Sequence, residues 1–233
     1  MIPIQLSTRL LRVANYVPQD AILADIGSDH AYLPIYLLQN QTIQSAIAGE
    51  VVQGPYQSAK TSSQEYGLEK LIDVRMGDGL NVLKEEDQVT VITICGMGGE
   101  LISQILEEGY LKEHLAGVET LILQPNVAEY QVRKWLLTHG YAITNEEILA
   151  DNKRIYEIIV AKPTHETPNY SEVQLKHGIY LTQTKPVLAK EKWQQLIEKH
   201  KFVLKQLQKS SQKQDDKIAQ IQNEIAQLEE LIM

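Results

Sequence analysis

The sequence is poor in cysteine, and Cys95 is the single one among 233 residues. An internal disulfide needs two cysteines, so a disulfide-stabilised secreted scaffold is excluded. The sequence also lacks any apolar run of about eighteen residues, and residues 1–14 lack the apolar core of a secretory signal. We therefore predict a cytoplasmic protein with no membrane segment.

Metal-ligand spacings are absent as well. No histidine lies at such a spacing from a second type of ligand, whether His30, His114, His139, His165, His177 or His200. We predict no metal site. Hydrophobic residues make up 43% of the chain and charged residues 22%, which is typical of globular proteins and excludes a disordered or fibrous chain.

Positive charge is scarce overall, since the formal net charge is −8. Proteins bind polyanions through Lys and Arg, so this net charge taken alone argues against nucleic acid. The charge is unevenly divided, however: residues 1–160 carry a net charge of −10, and residues 161–233 carry +2. Because ten lysines and four acids lie between Lys176 and Lys217, we predict a basic surface in the second part.

Glycine is scarce in that same second part, because twelve of the thirteen glycines precede residue 161. Residues 162–169 contain two prolines and no apolar period, which is typical of a linker. We therefore predict two domains, residues 1–163 and residues 164–233.

The first predicted domain contains apolar runs that alternate with amphipathic stretches of helical length. Such runs are typical of strands buried on both faces, so we predict an α/β fold with a doubly wound, mostly parallel sheet. The last two runs are separated by a turn only, which predicts an antiparallel hairpin at one end of the sheet. The predicted strands are residues 21–26, 45–50, 71–75, 89–95, 119–124, 143–148 and 154–161.

The second predicted domain is helical. Its last apolar residues recur every three or four positions, as in a coiled-coil seam: Ile218, Ile221, Ile225, Leu228 and Ile232. Residues 210–216 are wholly polar, and one continuous helix through them would place Ser211 and Gln214 in the seam. We therefore predict a C-terminal helical coiled-coil hairpin that turns there.

The predicted loops at the carboxyl ends of the strands are where open α/β sheets bind ligands. The first strand ends at Asp25, and Gly27 permits close backbone approach, but Asp29 would repel the pyrophosphate of a dinucleotide. Glu50 ends the second strand, in position to accept hydrogen bonds from ribose hydroxyls, and Asp78 is placed to accept from an adenine amino group. Taken singly, each of these acids has an alternative role as the cap of a helix. The candidate cofactor-binding residues are Asp25, Gly27, Ser28, His30, Glu50, Val51, Asp78, Gly79, Gly96 and Met97.

The order of these loops resembles that of Rossmann-like methyltransferases that use S-adenosylmethionine. More narrowly, the chain closely resembles the bacterial tRNA (adenine-22-N1) methyltransferase family over nearly its whole length. The most specific segment is Gly-Ser-Asp-His-Ala-Tyr-Leu-Pro at residues 27–34, and the others are residues 77–80, 96–99, 124–126 and 155–159 with the Lys-rich tail. The resemblance implies S-adenosylmethionine as cofactor and methyl transfer to N1 of an adenine in the D-loop region of tRNA, with the tail helping to hold the tRNA.

The resemblance also favours Asp29 as the catalytic residue, with an N-cap of the following helix as the alternative. Cys95 is interpreted as a buried strand-end residue rather than a nucleophile. The candidate substrate-binding residues are Arg9, Arg12, Gln124, Asn126, Arg133, Lys199, Lys201, Lys205 and Lys209. Their alternatives are ordinary structural roles: solvated helix faces for the lysines and the first two arginines, turn and cap residues at 124–126, and a surface salt bridge for Arg133.

Two other functions stay open at this point. One is a small-molecule methyltransferase whose helical hairpin caps the pocket, and the other is a non-catalytic RNA-binding coiled-coil protein. The residues alone do not separate attack by N1 from attack by the exocyclic N6. We expect a monomer, with a coiled-coil dimer as the alternative.

Overall fold

The computed structural model describes residues 3–208 and 214–233. The chain divides into two compact units, one ending at Asn169 and one beginning at Tyr170. The boundary that we placed after residue 163 lies close to this division and stays a prediction.

The first unit contains seven strands that pair into one sheet. They are β1 Ala21–Ile26, β2 Ile43–Glu50, β3 Ile72–Met76, β4 Val91–Met97, β5 Thr120–Pro125, β6 Tyr141–Asp151 and β7 Arg154–Pro163. The order across the sheet is β3-β2-β1-β4-β5-β7-β6. Strands β1 to β5 are parallel, whereas β7 runs antiparallel to both β5 and β6. The predicted α/β sheet, mostly parallel with an antiparallel hairpin at one end, is confirmed.

Strand β1 lies at the centre of this sheet, between β2 and β4. Successive side chains of a strand point to opposite faces, and both Leu23 and Ala24 are fully buried. The sheet is therefore covered on both sides at β1, which explains why the strand is a continuous apolar run in the sequence.

Helices connect most of the strands, and their positions determine where a ligand can bind. They are α1 Thr8–Ala14, α2 Tyr32–Gln39, α3 Gln53–Glu65, α4 Gly99–Leu111 and α5 Glu129–Thr138, with short 3₁₀ turns at Gly79–Val82 and Glu85–Asp87. Successive strands are added on one side of β1 up to β3 and on its other side from β4 onward. The order therefore reverses between β1 and β4, and open α/β sheets bind ligands beside such a reversal.

The second unit is helical, with α6 Glu172–His177, α7 Leu181–Thr184, α8 Val187–Leu207 and α9 Asp215–Ile232. Helices α8 and α9 pack together, and the residues they bury are Ala189, Trp193, Ile197, Ile221, Ile225 and Leu228. Lys190 Nζ donates to the carbonyl of Ile232 at 2.9 Å, so the start of α8 lies beside the end of α9. Most of the predicted turn at 210–216 lies outside the described residues.

Across residues 3–208 and 214–233, no helix has both the length and the apolar composition needed to cross a bilayer.

Candidate functional site

A cavity of about 370 Å³ lies at the carboxyl ends of β1, β2 and β4, where the strand order reverses. Three carboxylates belong to its wall, those of Asp25, Asp29 and Glu50. The other lining residues are Arg9, Leu10, Gly27, Ser28, Leu33, Pro55, Cys95, Gly96 and Met97. Small-molecule sites commonly enclose about 300–1,000 Å³, so this cavity is large enough for a nucleoside-sized ligand.

The carboxylate of Asp25 is fixed at the base of the cavity. It accepts hydrogen bonds from Ser28 Oγ at 2.5 Å and from Thr93 Oγ1 at 2.6 Å, the latter because Thr93 pairs with Asp25 across β1 and β4. Burial raises the pKa of Asp25, and the two hydroxyl donors partly oppose that rise. Asp25 therefore ties the loop after β1 to the sheet and gives the cavity negative charge when ionised.

Glu50 ends β2, and its buried carboxylate accepts a hydrogen bond from the backbone N–H of Asp29. Burial raises the pKa of Glu50, and the hydrogen bond from Asp29 opposes this, while the negative charges of Asp29 and Asp25 raise it further. Glu50, which we predicted to bind the ribose, is therefore hydrogen-bonded directly to the loop that carries Asp29, the predicted catalytic residue.

The loop after β1 has an unusual backbone, because Gly27, Asp29 and Ala31 all have positive φ angles, of 71°, 57° and 55°. The left-handed φ of Gly27 would strain any residue with a Cβ, and a Cβ there would also displace the Met97 methyl group. Left-handed geometry costs a residue with a Cβ roughly 1–2 kcal/mol, so this loop holds strain at two positions.

Asp29 projects from this loop with 72% of its side chain exposed. The N-cap of α2 is Ala31, and no side chain caps that helix. The N-cap alternative for Asp29 is therefore wrong. Asp29 instead lines the cavity, and its exposed carboxylate lies 3.7 Å from His30 Nε2.

Gln124 and Asn126 hold the end of β4 at Gly96. The buried Gln124 Oε1 accepts from the Gly96 N–H at 3.0 Å and from the Arg9 guanidinium, and Asn126 Nδ2 donates to the Gly96 carbonyl at 2.6 Å. The Arg9 guanidinium also lies 5.7 Å from the centre of the Tyr156 ring. The sequence did not indicate this cluster, because its members are far apart along the chain.

Helix α1 is attached to the β6–β7 hairpin by polar contacts. Arg12 pairs with Glu147, which also accepts from the Tyr16 hydroxyl at 3.0 Å, and the Arg9 N–H donates to Asp151 at 3.3 Å. The phosphate contact that we expected from Arg9 and Arg12 therefore has a competing structural role in the first unit. It stays a prediction.

Arg133 requires a correction. The side chain is fully buried, and its guanidinium donates to Glu146 at 2.6 Å and to Glu157. Burial by itself would lower the pKa of Arg133, but the two carboxylates outweigh it and raise that pKa above its ordinary value. Both sequence interpretations, substrate contact and a surface salt bridge, are wrong, because no part of this side chain reaches the surface.

The remaining candidates are not among the residues that line this cavity, or they belong to the second unit. Asp78 and Gly79 line a separate cavity of about 70 Å³ beside α4, Val51 is exposed after Glu50, and His30 follows Asp29. Their cofactor contacts stay predictions. Burial raises the pKa of the Cys95 thiol, which disfavours the thiolate that a nucleophile needs.

The predicted tRNA-binding lysines of α8 are exposed at the three described positions, Lys199, Lys201 and Lys205. Lys201 Nζ donates to Glu229 at 2.7 Å, so one of the three charges is already paired. Lys209 lies outside the described residues.

The cavity fits S-adenosylmethionine by its chemistry. That cofactor carries a sulfonium and an ammonium cation, and three carboxylates line the cavity. Its ribose has two hydroxyl donors, which suit the carboxylate at the end of β2. Within the part of the chain that the structure describes, no group of three or more His, Cys, Asp or Glu side chains is arranged to hold a metal ion.

The strand order, the glycine turn after β1 and the acids that end β1 and β2 define a Rossmann-like methyltransferase of the S-adenosylmethionine-dependent class. Residues 23–230 match the sequence profile of the family described as tRNA (adenine(22)-N(1))-methyltransferase. The chain belongs to this family, and the resemblance seen in its motifs is confirmed.

Individual relatives agree with this assignment. The tRNA (adenine(22)-N(1))-methyltransferase of Bacillus subtilis strain 168 is 40% identical over 218 residues, covering 92% of this chain and 90% of the relative. A crystal structure of Streptococcus pneumoniae Sp1610 in complex with S-adenosyl-L-methionine has a TM-score of 0.89 at 43% identity, covering 98% of this chain and 100% of that one. The M. capricolum TrmK complex with S-adenosyl-homocysteine has a TM-score of 0.86 at 28% identity, with 97% of both chains covered.

Proposed function

We propose that this protein transfers a methyl group from S-adenosylmethionine to N1 of the adenine at position 22 of tRNA. The observation that carries the proposal is the carboxylate-lined cavity at the reversal of strand order, in a chain that belongs to this methyltransferase family. Its cofactor contacts are assigned to Asp25, Gly27, Ser28, Glu50, Gly96 and Met97 in the wall, and to His30, Val51, Asp78 and Gly79 outside it.

The reaction requires little acid–base chemistry from the protein. When bound, S-adenosylmethionine supplies an electrophilic methyl group. The N1 lone pair of adenine is free at neutral pH, so no side chain has to remove a proton before attack. The methylated ring carries a positive charge, and Asp29 is the residue we assign to counter that charge or to accept from the exocyclic amino group. Positioning and exclusion of water supply the rest of the rate.

The target adenine has to leave its base pair before it reacts, because N1 lies on the Watson–Crick edge. Gln124 and Asn126 support the substrate side of the cavity by fixing Gly96, as described above. We assign Arg9 to the same side, since it lines the cavity and contacts Gln124.

The second unit is proposed to hold the tRNA. We infer that α8 and α9 form a coiled-coil hairpin whose exposed lysines contact phosphates, and that the doubly wound first unit is the catalytic domain. The protein is proposed to act as a monomer in the cytoplasm, where tRNA is modified. These assignments rest on the family and on the lysine excess.

Nucleoside mass spectrometry tests the proposed reaction directly. Unmodified tRNA incubated with the protein and S-adenosylmethionine is expected to yield 1-methyladenosine, resolved by chromatography from the N6 isomer. The control is the same tRNA with guanine in place of the adenine at position 22. A methylated control, an N6 product or no methylated nucleoside at all contradicts the proposal.

A further inference from the structure

Two aromatic rings stack on each other where the loop after β1 enters α2. The His30 and Tyr32 rings have centroids 5.0 Å apart and planes inclined by 18°. Both stay open to solvent, with 42% of the His30 side chain and 40% of Tyr32 exposed. Aromatic rings usually bury their apolar faces, so an exposed stacked pair has unused apolar surface.

The chain path places this pair beside the reaction site. Asp29 before the pair and Leu33 after it both line the cavity, whereas neither His30 nor Tyr32 does. The left-handed backbone at Asp29 and Ala31 flanks His30, so the chain adopts strained geometry on both sides of this ring. His30 Nε2 also lies 3.7 Å from Asp29 Oδ1, which keeps the aromatic pair close to the carboxylate assigned to the target adenine.

The cavity itself offers no such surface. Within residues 3–208 and 214–233, the twelve residues that line it include no aromatic side chain. Two further loops lie at this edge of the sheet. Gly98 follows β4, and residues 126–128, Asn-Val-Ala, follow β5, so neither segment has an aromatic side chain. A flipped base stacks on aromatic side chains when they are available, because each base has a π-face.

We propose that His30 and Tyr32 form a stacking platform for the adenine that receives the methyl group. This inference rests on the proposed function and adds the residues that hold the flipped base. The adenine stacks with its ring face on the platform. Asp29, on the same loop, accepts a hydrogen bond from the exocyclic amino group of the adenine. The platform places His30 against the substrate base and replaces the cofactor contact assigned to His30 above.

The test compares Tyr32→Leu with Tyr32→Phe in the full-length protein. Leucine keeps the apolar bulk but removes the ring face, whereas phenylalanine keeps the ring. We expect Tyr32→Leu to raise KM for tRNA about tenfold, in line with the strength of base–aromatic stacking. Tyr32→Phe should stay within about twofold of wild type. Cofactor affinity, measured by calorimetry, should be unchanged in both variants.

A matched control is Tyr110→Leu, which removes a ring with 49% exposure at the other end of the sheet, on the last turn of α4. It should leave KM for tRNA at the wild-type value. Equal effects of Tyr32→Leu and Tyr110→Leu would overturn the platform. So would an equal loss of cofactor affinity in Tyr32→Leu, because the ring would then serve the cofactor.

A fluorescent base identifies the stacked nucleotide. With 2-aminopurine at position 22 of tRNA, stacking on the platform should quench the emission of the complex, and Tyr32→Leu should relieve that quenching. Quenching only of probes at neighbouring positions would contradict the inference for the target adenine. A wild-type protein that methylates no tRNA would instead contradict the proposed function, so the two failures are distinguishable.

Discussion

At the scale of single residues, the hydrogen bond from the Asp29 N–H to Glu50 organises the candidate site. It couples the end of β2 to the strained loop after β1, and Ser28 couples that loop to Asp25. Three carboxylates therefore stay close together although they repel one another. A cationic ligand would relieve this repulsion, so we expect the cavity to favour a sulfonium over a neutral thioether.

Glu50 provides the first prediction. Glu50→Ala should weaken binding of S-adenosylmethionine by about 1–3 kcal/mol, because the ribose loses a charged acceptor and the Asp29 N–H loses its partner. Isothermal titration measures this, with Glu65→Ala, an exposed acid at the end of α3, as control. Unchanged affinity in Glu50→Ala would remove this acid from the site.

Asp29 should behave differently, because its side chain is exposed and caps no helix. Asp29→Ala is expected to leave cofactor affinity within a few-fold and to lower the methylation rate by about two orders of magnitude. Single-turnover assays at saturating tRNA give the rate, and calorimetry gives the affinity. Parallel losses in both would reassign Asp29 to cofactor positioning.

The sequence predicted where the residues at and just after the strand ends lie, whereas their ligand contacts stay predictions. Asp25, Gly27 and Glu50 follow apolar runs, so their place at one edge of the sheet follows from the parallel arrangement alone. Arg133 was mispredicted because a helix pattern does not show that two acids from a distant hairpin, Glu146 and Glu157, meet the guanidinium inside the protein.

At the scale of elements, α5 is anchored to the β6–β7 hairpin by this buried ion cluster. Removing one partner of a buried pair leaves charge without compensation, which costs far more than the pair contributes. The cluster therefore specifies how the hairpin docks on the helix, in a region where β6 has a single neighbouring strand.

Arg133→Ala is expected to lower the free energy of unfolding by about 3–5 kcal/mol, since both glutamates stay buried without their cation. Urea titration measures the loss. Replacing all three charges together, with Arg133→Met, Glu146→Leu and Glu157→Leu, should recover much of it. Arg12→Ala breaks the more exposed pair with Glu147 and should cost no more than about 1 kcal/mol. A similar small cost for Arg133→Ala would contradict the assignment.

At the scale of the whole molecule, the two units differ in charge as well as in fold. The net charge of −10 lies in residues 1–160, around a cavity that suits a cation, and the lysine excess lies in the helical part. We propose that recognition of the cofactor and of the polyanion is divided between the units in the same way, so that one acidic chain is able to serve both.

Reversing exposed lysines tests this division. Lys199→Glu with Lys205→Glu should weaken tRNA binding with little dependence on base identity, and the slope of log affinity against log salt should flatten by about one for each lost phosphate contact. Cofactor affinity should not change. The control reverses Lys70 and Lys134, exposed lysines of the first unit. Wild-type affinity and slope in the α8 variant would indicate an ordinary solvated helix face.

The strand order has a consequence for how the chain assembles as it is synthesised. Each strand from β2 to β5 finds an edge that an earlier strand already provides, but the sheet neighbour of β6 is β7, which is made after it. A nascent or cleaved chain ending between Asp151 and Arg154 would therefore carry an eleven-residue strand with unpaired backbone groups. Unprotected strands of this kind pair with other molecules, so the interval before β7 emerges is when we expect the growing chain to be most prone to aggregate.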